Sequence, residues 1–101
     1  NASIESALSE ARPEGGPLTI MYFVYILKSV RDRRTYVGYT KDLEQRLRLH
    51  NSGRVVATRH RRPLDIFLFE RFEGLREAKR RELWWKSGAG RKKLKELFTN
   101  A

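Results

Sequence analysis

Cysteine is absent from this chain, which removes disulfides and thiolate metal sites together and makes a reducing cytoplasm the expected setting. Long apolar runs are missing too. No segment reaches the length of a membrane span, and the N-terminus lacks the basic-then-apolar order of a secretory signal. Carboxylates are scarce beside cations: 12 Asp and Glu stand against 22 Lys and Arg, for a formal net charge of +10. The excess is uneven, because Glu5, Glu10 and Glu14 outnumber the single Arg12 in residues 1–20. The basic charge therefore belongs to the rest of the chain. Such density suits a polyanionic partner, of which nucleic acid is the commonest; the alternatives are a solvated basic surface or attraction to anionic lipid. With 101 residues the chain has room for one domain, whose core lies near the lower limit for folding unaided.

Two regions differ in composition. Residues 1–20 have few large apolar side chains, with Pro13-Glu14-Gly15-Gly16-Pro17 near their end, so they are expected to be a disordered leader or tag-like extension. Residues 21–101 are expected to be the folded domain, with Met21 a sensible natural start. Within it, Tyr22-Phe23-Val24-Tyr25-Ile26-Leu27 and Thr35-Tyr36-Val37-Gly38-Tyr39-Thr40 are rich in β-branched and aromatic residues and read as strands. The polar link from Ser29 to Arg34 is short enough to make them an antiparallel hairpin with a Tyr near the middle of each strand. Gly38 leaves room for something to approach the backbone.

A helix is expected from about Thr40, as N-cap, to about Asn51, ending before Gly53. Leu43 and Leu47 mark its buried face, with Arg46 and His50 flanking that face one turn apart. A histidine near a helix C-terminus is also favoured by the dipole alone. Next comes a basic connection in which Arg54, Arg59, Arg61 and Arg62 suit phosphate contact or simple solvation. Leu64 to Phe69 reads as a third strand, apolar on both faces and so expected to be central. Leu75, Ala78, Glu82 and Trp85 share one face of a following helix, Leu75 to Lys86. A carboxylate in that stripe is costly unless a metal cation or a basic side chain meets it. Ser87-Gly88-Ala89-Gly90 should break the helix, and Arg91 to Phe98 should form the last one. The expected fold is α+β, a three-stranded antiparallel sheet flanked by helices in the order β-β-α-β-α-α.

These residues carry a resemblance. Phe23-Val24-Tyr25 and Tyr36-Val37-Gly38 stand where the GIY-YIG nuclease family has Gly-Ile-Tyr and Tyr-Ile-Gly. The likeness continues through Leu43-Glu44-Gln45-Arg46-Leu47, His50-Asn51-Ser52-Gly53, Arg62-Pro63, Glu70, Glu77-Ala78, Arg81-Glu82 and Lys86-Ser87-Gly88. It spans Met21 to Phe98 and is greatest for small stand-alone bacterial members, similar to the nuclease domain of the excision-repair C subunit. The resemblance implies a metal-dependent endonuclease of DNA (RNA being left open), structure-directed and serving repair or DNA processing. It implies a site built from Tyr25, Tyr36, Arg46, His50 and Glu82, in which Glu82 holds one divalent cation, Mg²⁺ or Mn²⁺. Arg46 would brace the phosphate; Tyr25, Tyr36 or His50 would handle the proton of the attacking water. Lys41, Arg54, Arg59, Arg61, Arg62, Lys86 and Arg91 are the expected nucleic-acid contacts, and a monomer is expected. Phe23 departs from the family's first Gly, Tyr39 stands where some relatives carry a Lys, and no Asn follows Gly88 before Asn100. Two rival readings remain beside the nuclease. One is a catalytically inactive nucleic-acid-binding module; the other is an interaction protein docking through Trp84 or exposed Phe residues.

Overall fold

A computed structural model of the chain describes residues 21–99; the expectations for residues 1–20 and for Asn100 lie outside the described residues. Strands β1 (Tyr22–Ser29), β2 (Thr35–Thr40) and β3 (Leu64–Phe72) form one antiparallel sheet in the order β2-β1-β3. Helix α1 (Leu43–Asn51) follows β2, while α2 (Leu75–Lys86) and α3 (Gly88–Thr99) follow β3. The architecture is the α+β order read from the sequence. No helix among the described residues is long and apolar enough to cross a membrane.

The period-2 alternation of β1 explains the layering. Phe23, Tyr25 and Leu27 point to one face and pack with Leu43 and Leu64, joined by Tyr36, Leu47, Ile66 and Phe69. Val24 and Ile26 point to the other, where Val37, Ala78, Trp85 and Leu94 meet them. Helix α1 therefore covers one face, and the α2–α3 pair covers the opposite one.

Four details differ from expectation. The central strand is β1, whose Val24, Ile26 and Leu27 are wholly buried; β3 is an edge strand. Its apolar residues face helices above and below, which burial pattern alone does not distinguish from a central position. Helix α1 is capped by Asp42, whose Oδ1 accepts from the Gln45 N–H at 3.0 Å, rather than by Thr40. Leu75, at the first turn of α2, is exposed. Helix α3 begins at Gly88, because Ser87 Oγ accepts from the Gly90 N–H and starts the new helix as the old one ends. Gly90 is needed there: a Cβ on it would stand 2.5 Å from Trp85 Cα.

Helix α2 is fixed to β3 by a polar cluster. Arg81 forms a fork on Glu70, with its Nε and one terminal nitrogen donating to the two carboxylate oxygens at 2.9 and 3.0 Å. Trp85 Nε1 donates to the same carboxylate at 2.7 Å. The Arg81 guanidinium lies 4.3 Å from the ring centre of Trp84 and 4.9 Å from that of Trp85. Trp84 is thus half-buried in this cluster instead of free for docking.

Candidate active site

The hairpin register places Tyr25 directly opposite Gly38. Partners directly across an antiparallel pair share a face, and the absent side chain of Gly38 makes room for the Tyr25 ring. A Cβ at Gly38 would lie 2.5 Å from Tyr25 Oη and 2.7 Å from Cζ. What approaches that glycine is the chain's own tyrosine. Tyr25 is nearly sealed from solvent, and its Oη meets two residues of α1. Arg46 Nε donates to it at 3.3 Å, and His50 Nε2 lies 3.1 Å away. His50 is wholly buried, and its other ring nitrogen, Nδ1, is 2.8 Å from Thr58 Oγ1, also wholly buried. Tyr36, one strand over, is only half-buried; its ring centre is 4.9 Å from that of His50 and 6.4 Å from that of Tyr25.

The electrostatics follow from this enclosure. Burial holds the Tyr25 phenol above its ordinary pKa, even though hydrogen bonding to Arg46 and its positive charge pull the other way. Burial and the nearby Arg46 charge push His50 down to about 4, so its ring is neutral near pH 7. Arg46 is raised, first by its hydrogen bond to Tyr25, and the Tyr36 oxygen acts on it in the same sense. The guanidinium is the cation that both phenols share.

Tyr25, Tyr36, Arg46 and His50 come together as one group. Glu82, on the helix pair covering the other face, is linked to them through its charge, which opposes ionisation of Tyr25. Its carboxylate is 14 % exposed, and the cation beside it is Lys86, one helical turn on, at 3.5 Å. Among the described residues no three His, Cys, Asp or Glu side chains converge as a metal site. Glu82 can therefore supply one hard oxygen ligand, and a bound cation would take the rest of its shell from water and phosphate.

The basic residues fall into two groups. On the α1 side, Arg61 is half-buried: its guanidinium pairs with Asp32 at 3.3 Å and donates to the Thr35 carbonyl at 3.2 Å, while its own carbonyl accepts from Ser29 Oγ. Arg62 Nε donates to the Arg59 carbonyl, and Arg59 and Arg54 are exposed. Lys41 belongs to neither group: it lies 5.8 Å from the centre of the Tyr22 ring, which packs on the opposite face from α1. The second group lines a groove of about 660 Å³ along β2, between the hairpin and α3. Lys86 and Arg91 belong to it, together with Arg33, Arg34 and Lys95, and among the described residues no carboxylate lines it. Tyr36, Trp85 and Phe98 are also among the residues that line it.

Sequence reasoning missed Arg33, Arg34 and Lys95 as groove residues. Arg33-Arg34 just before Tyr36, and Lys95 one turn after Arg91, were the available signals. Thr58 left no such signal, since a loop residue's partner is set by tertiary structure.

A family model described as the GIY-YIG catalytic domain matches residues 21–95. The chain belongs to the GIY-YIG family. It is 42% identical over 82 residues to a UPF0213 protein of Clostridium perfringens (strain 13 / Type A), covering 80% of this chain and 87% of the relative. Against the UPF0213 protein YazA of Bacillus subtilis (strain 168) the identity is 37% over 78 residues, 76% of each chain. Against the UPF0213 protein YsiG of Lactococcus lactis subsp. lactis (strain IL1403) it is 39% over 80 residues, 78% of this chain and 76% of the relative. The GIY-YIG assignment carries a nuclease-type function, and nucleases of this family are generally dependent on a divalent metal.

Proposed function

We propose that this GIY-YIG domain is an endonuclease that hydrolyses DNA phosphodiester bonds with one divalent cation, Mg²⁺ or Mn²⁺, at Glu82, directed by DNA structure and serving repair or DNA processing. The observation that carries this reading is the group of two phenols, a guanidinium and a neutral imidazole in a molecule that also carries a groove lined by five basic side chains. Phosphodiester hydrolysis needs charge neutralised at the phosphate, an activated water and a stabilised leaving oxygen. A cation at Glu82 would supply Lewis-acid stabilisation of the phosphate and leaving oxygen. Arg46 has five N–H donors; with Nε committed to Tyr25, its terminal nitrogens serve to hold the scissile phosphate. Tyr36 is half-buried where Tyr25 is sealed, so it is the phenol of the pair that solvent reaches, and we assign it the water. Tyr25 and His50 are sealed and act by holding Arg46 in place. Lys86, Arg91, Arg33, Arg34 and Lys95 steer and anchor the backbone.

The test is a nicking assay on duplex, flap and branched DNA with Mn²⁺, wild type against Glu82→Gln, together with the melting temperature of each. The counter-ion that Glu82 would strand is Lys86, which is about half exposed, so the variant should fold normally, keep DNA binding and lose cleavage. Wild-type cutting by a stably folded Glu82→Gln protein would sink the metal assignment. Binding without cutting by both proteins on every substrate would leave a nucleic-acid-binding module instead.

A further inference from the structure

The hydrogen-bond network around Tyr25 contains more direction than its distances alone. Arg46 Nε can only donate, so at that contact Tyr25 Oη accepts. The one phenolic proton is then left for His50 Nε2, 3.1 Å away in a pocket closed to water. Among the described residues either tautomer leaves one buried hydroxyl proton without a partner, that of Tyr25 if Nε2 is protonated and that of Thr58 if Nδ1 is. A phenol is a stronger donor than an aliphatic hydroxyl, and accepting from the Arg46 guanidinium strengthens it further, so the smaller loss is the one at Thr58. Nε2 is therefore bare. A neutral imidazole carries one proton, and His50, with its pKa near 4, is neutral. That proton must sit on Nδ1, whose neighbour at 2.8 Å is Thr58 Oγ1.

We propose that Thr58 is a positioning residue of the nuclease site: its hydroxyl accepts from His50 Nδ1–H and thereby fixes the tautomer that turns the Tyr25 proton away from Arg46. This rests on the nuclease reading above. Thr58 is wholly buried and lies on the connection between α1 and β3, so it acts through His50. The order of donation is Arg46 to Tyr25, Tyr25 to His50, His50 to Thr58. Reversing the last link reverses the middle one, for a His50 protonated at Nε2 would donate to Oη and swing the phenolic proton toward the guanidinium. Arg46 would then share Oη with a second donor, and its hold on the orientation in which it meets the phosphate would weaken. The backbone reinforces the placement: Asn51, next to His50, bonds both the N–H and the carbonyl of Leu64 through its side-chain amide, at 2.7 and 2.9 Å. This closes the loop that carries Thr58.

The experiment compares Thr58→Val, which keeps the shape and removes the hydroxyl, with Thr58→Ser, which restores it. Long-range nitrogen–proton NMR of ring-labelled His50 reports the tautomer, and steady-state nicking with Mn²⁺ reports turnover and KM separately. Wild type and Thr58→Ser should show Nδ1–H with bare Nε2. Thr58→Val should move toward Nε2–H and lose about ten- to a hundred-fold in turnover, by analogy with the loss of the outer partner of a metal-bound histidine, with Thr58→Ser restoring it. A wild-type His50 protonated at Nε2 overturns the proposal on its own, whether or not Thr58→Val folds. So does a folded Thr58→Val that keeps either the wild-type tautomer or the wild-type turnover. If wild type cuts no DNA, the nuclease reading fails while the NMR still decides the tautomer, so the two failures are distinguishable.

Discussion

Acid should loosen this fold through one histidine. His50 has an ordinary pKa of 6.5 and is pushed down to about 4 in the folded protein, by burial first and by the Arg46 charge second. Between those values the unfolded chain takes up a proton that the folded chain refuses, so folding stability rises with pH across that window. The contribution is complete above about pH 6.5 and is lost progressively down to pH 4. A shift of this size corresponds to about 3 kcal/mol, with a slope approaching about 1.4 kcal/mol per pH unit in mid-window. For a domain of this length each kcal/mol moves the melting temperature by roughly 4–8 °C, so acidification from pH 7 to 4 should lower it by more than ten degrees. The assay is thermal unfolding by circular dichroism at fixed ionic strength, wild type beside His50→Gln. The variant starts lower because it disturbs the Tyr25 and Thr58 bonds, but its melting temperature should fall much less between pH 6.5 and 4. Asp32, held below the ordinary carboxylate range chiefly by the Arg34 backbone N–H, contributes its own loss at lower pH, and does so in both proteins. Parallel pH profiles for the two proteins would refute the assignment of this window to His50.

Three further outcomes follow from the same side chains. Gly38→Ala puts a methyl against the Tyr25 hydroxyl; it should cost about 1–3 kcal/mol and reduce nicking together with melting temperature, and unchanged values of both would contradict the close approach. Glu70→Gln removes the charge that Arg81 and Trp85 share and should cost about 1–2 kcal/mol in chemical denaturation, while Lys86→Ala, whose side chain is about half exposed, should cost little. Arg91→Glu with Lys95→Glu should weaken binding to all DNA sequences alike and flatten the dependence of log affinity on log salt by about 0.9 for each phosphate that is no longer neutralised; Arg61→Ala, in contrast, should register in melting temperature, since its guanidinium ties Asp32 to the Thr35 carbonyl.

The hairpin, α1 and α2 were legible from local signals: β-branched and aromatic runs joined by a short polar link in β1 and β2, and Leu43 with Leu47 on one helical face in α1, as Ala78 with Trp85 in α2. The grouping of Tyr25, Tyr36, Arg46 and His50 came from their match to a family pattern, and the register of Tyr25 against Gly38 shows the steric reason behind part of that pattern. Lateral order was not legible. Ile66 to Phe69 are apolar on both sides because helices lie above and below them, and nothing in that run states how many strands lie beside it. Ser87 and Gly90 looked like breakers because turn chemistry and cap chemistry use the same residues. The sealing of His50 depends on Thr58, eight residues on and around an irregular loop, where no periodicity operates.

Among the described residues β2 forms one margin of the sheet. A free strand margin is a template on which a second chain can continue the sheet, and proteins commonly blunt it with charge. Here the hairpin brings Arg33 and Arg34 to that margin, and the facing helices add Lys86, Arg91 and Lys95. Bringing two β2 margins together would press these like charges against each other, so the cations that suit a phosphate backbone also keep copies of the chain apart. The protection is conditional: a polyanion that neutralises the groove also removes the repulsion. Self-association should therefore show itself in light scattering at oligonucleotide levels just sufficient to neutralise the protein, and fade when oligonucleotide is in excess. Scattering that is flat across the whole titration would mean that charge is not what guards this margin.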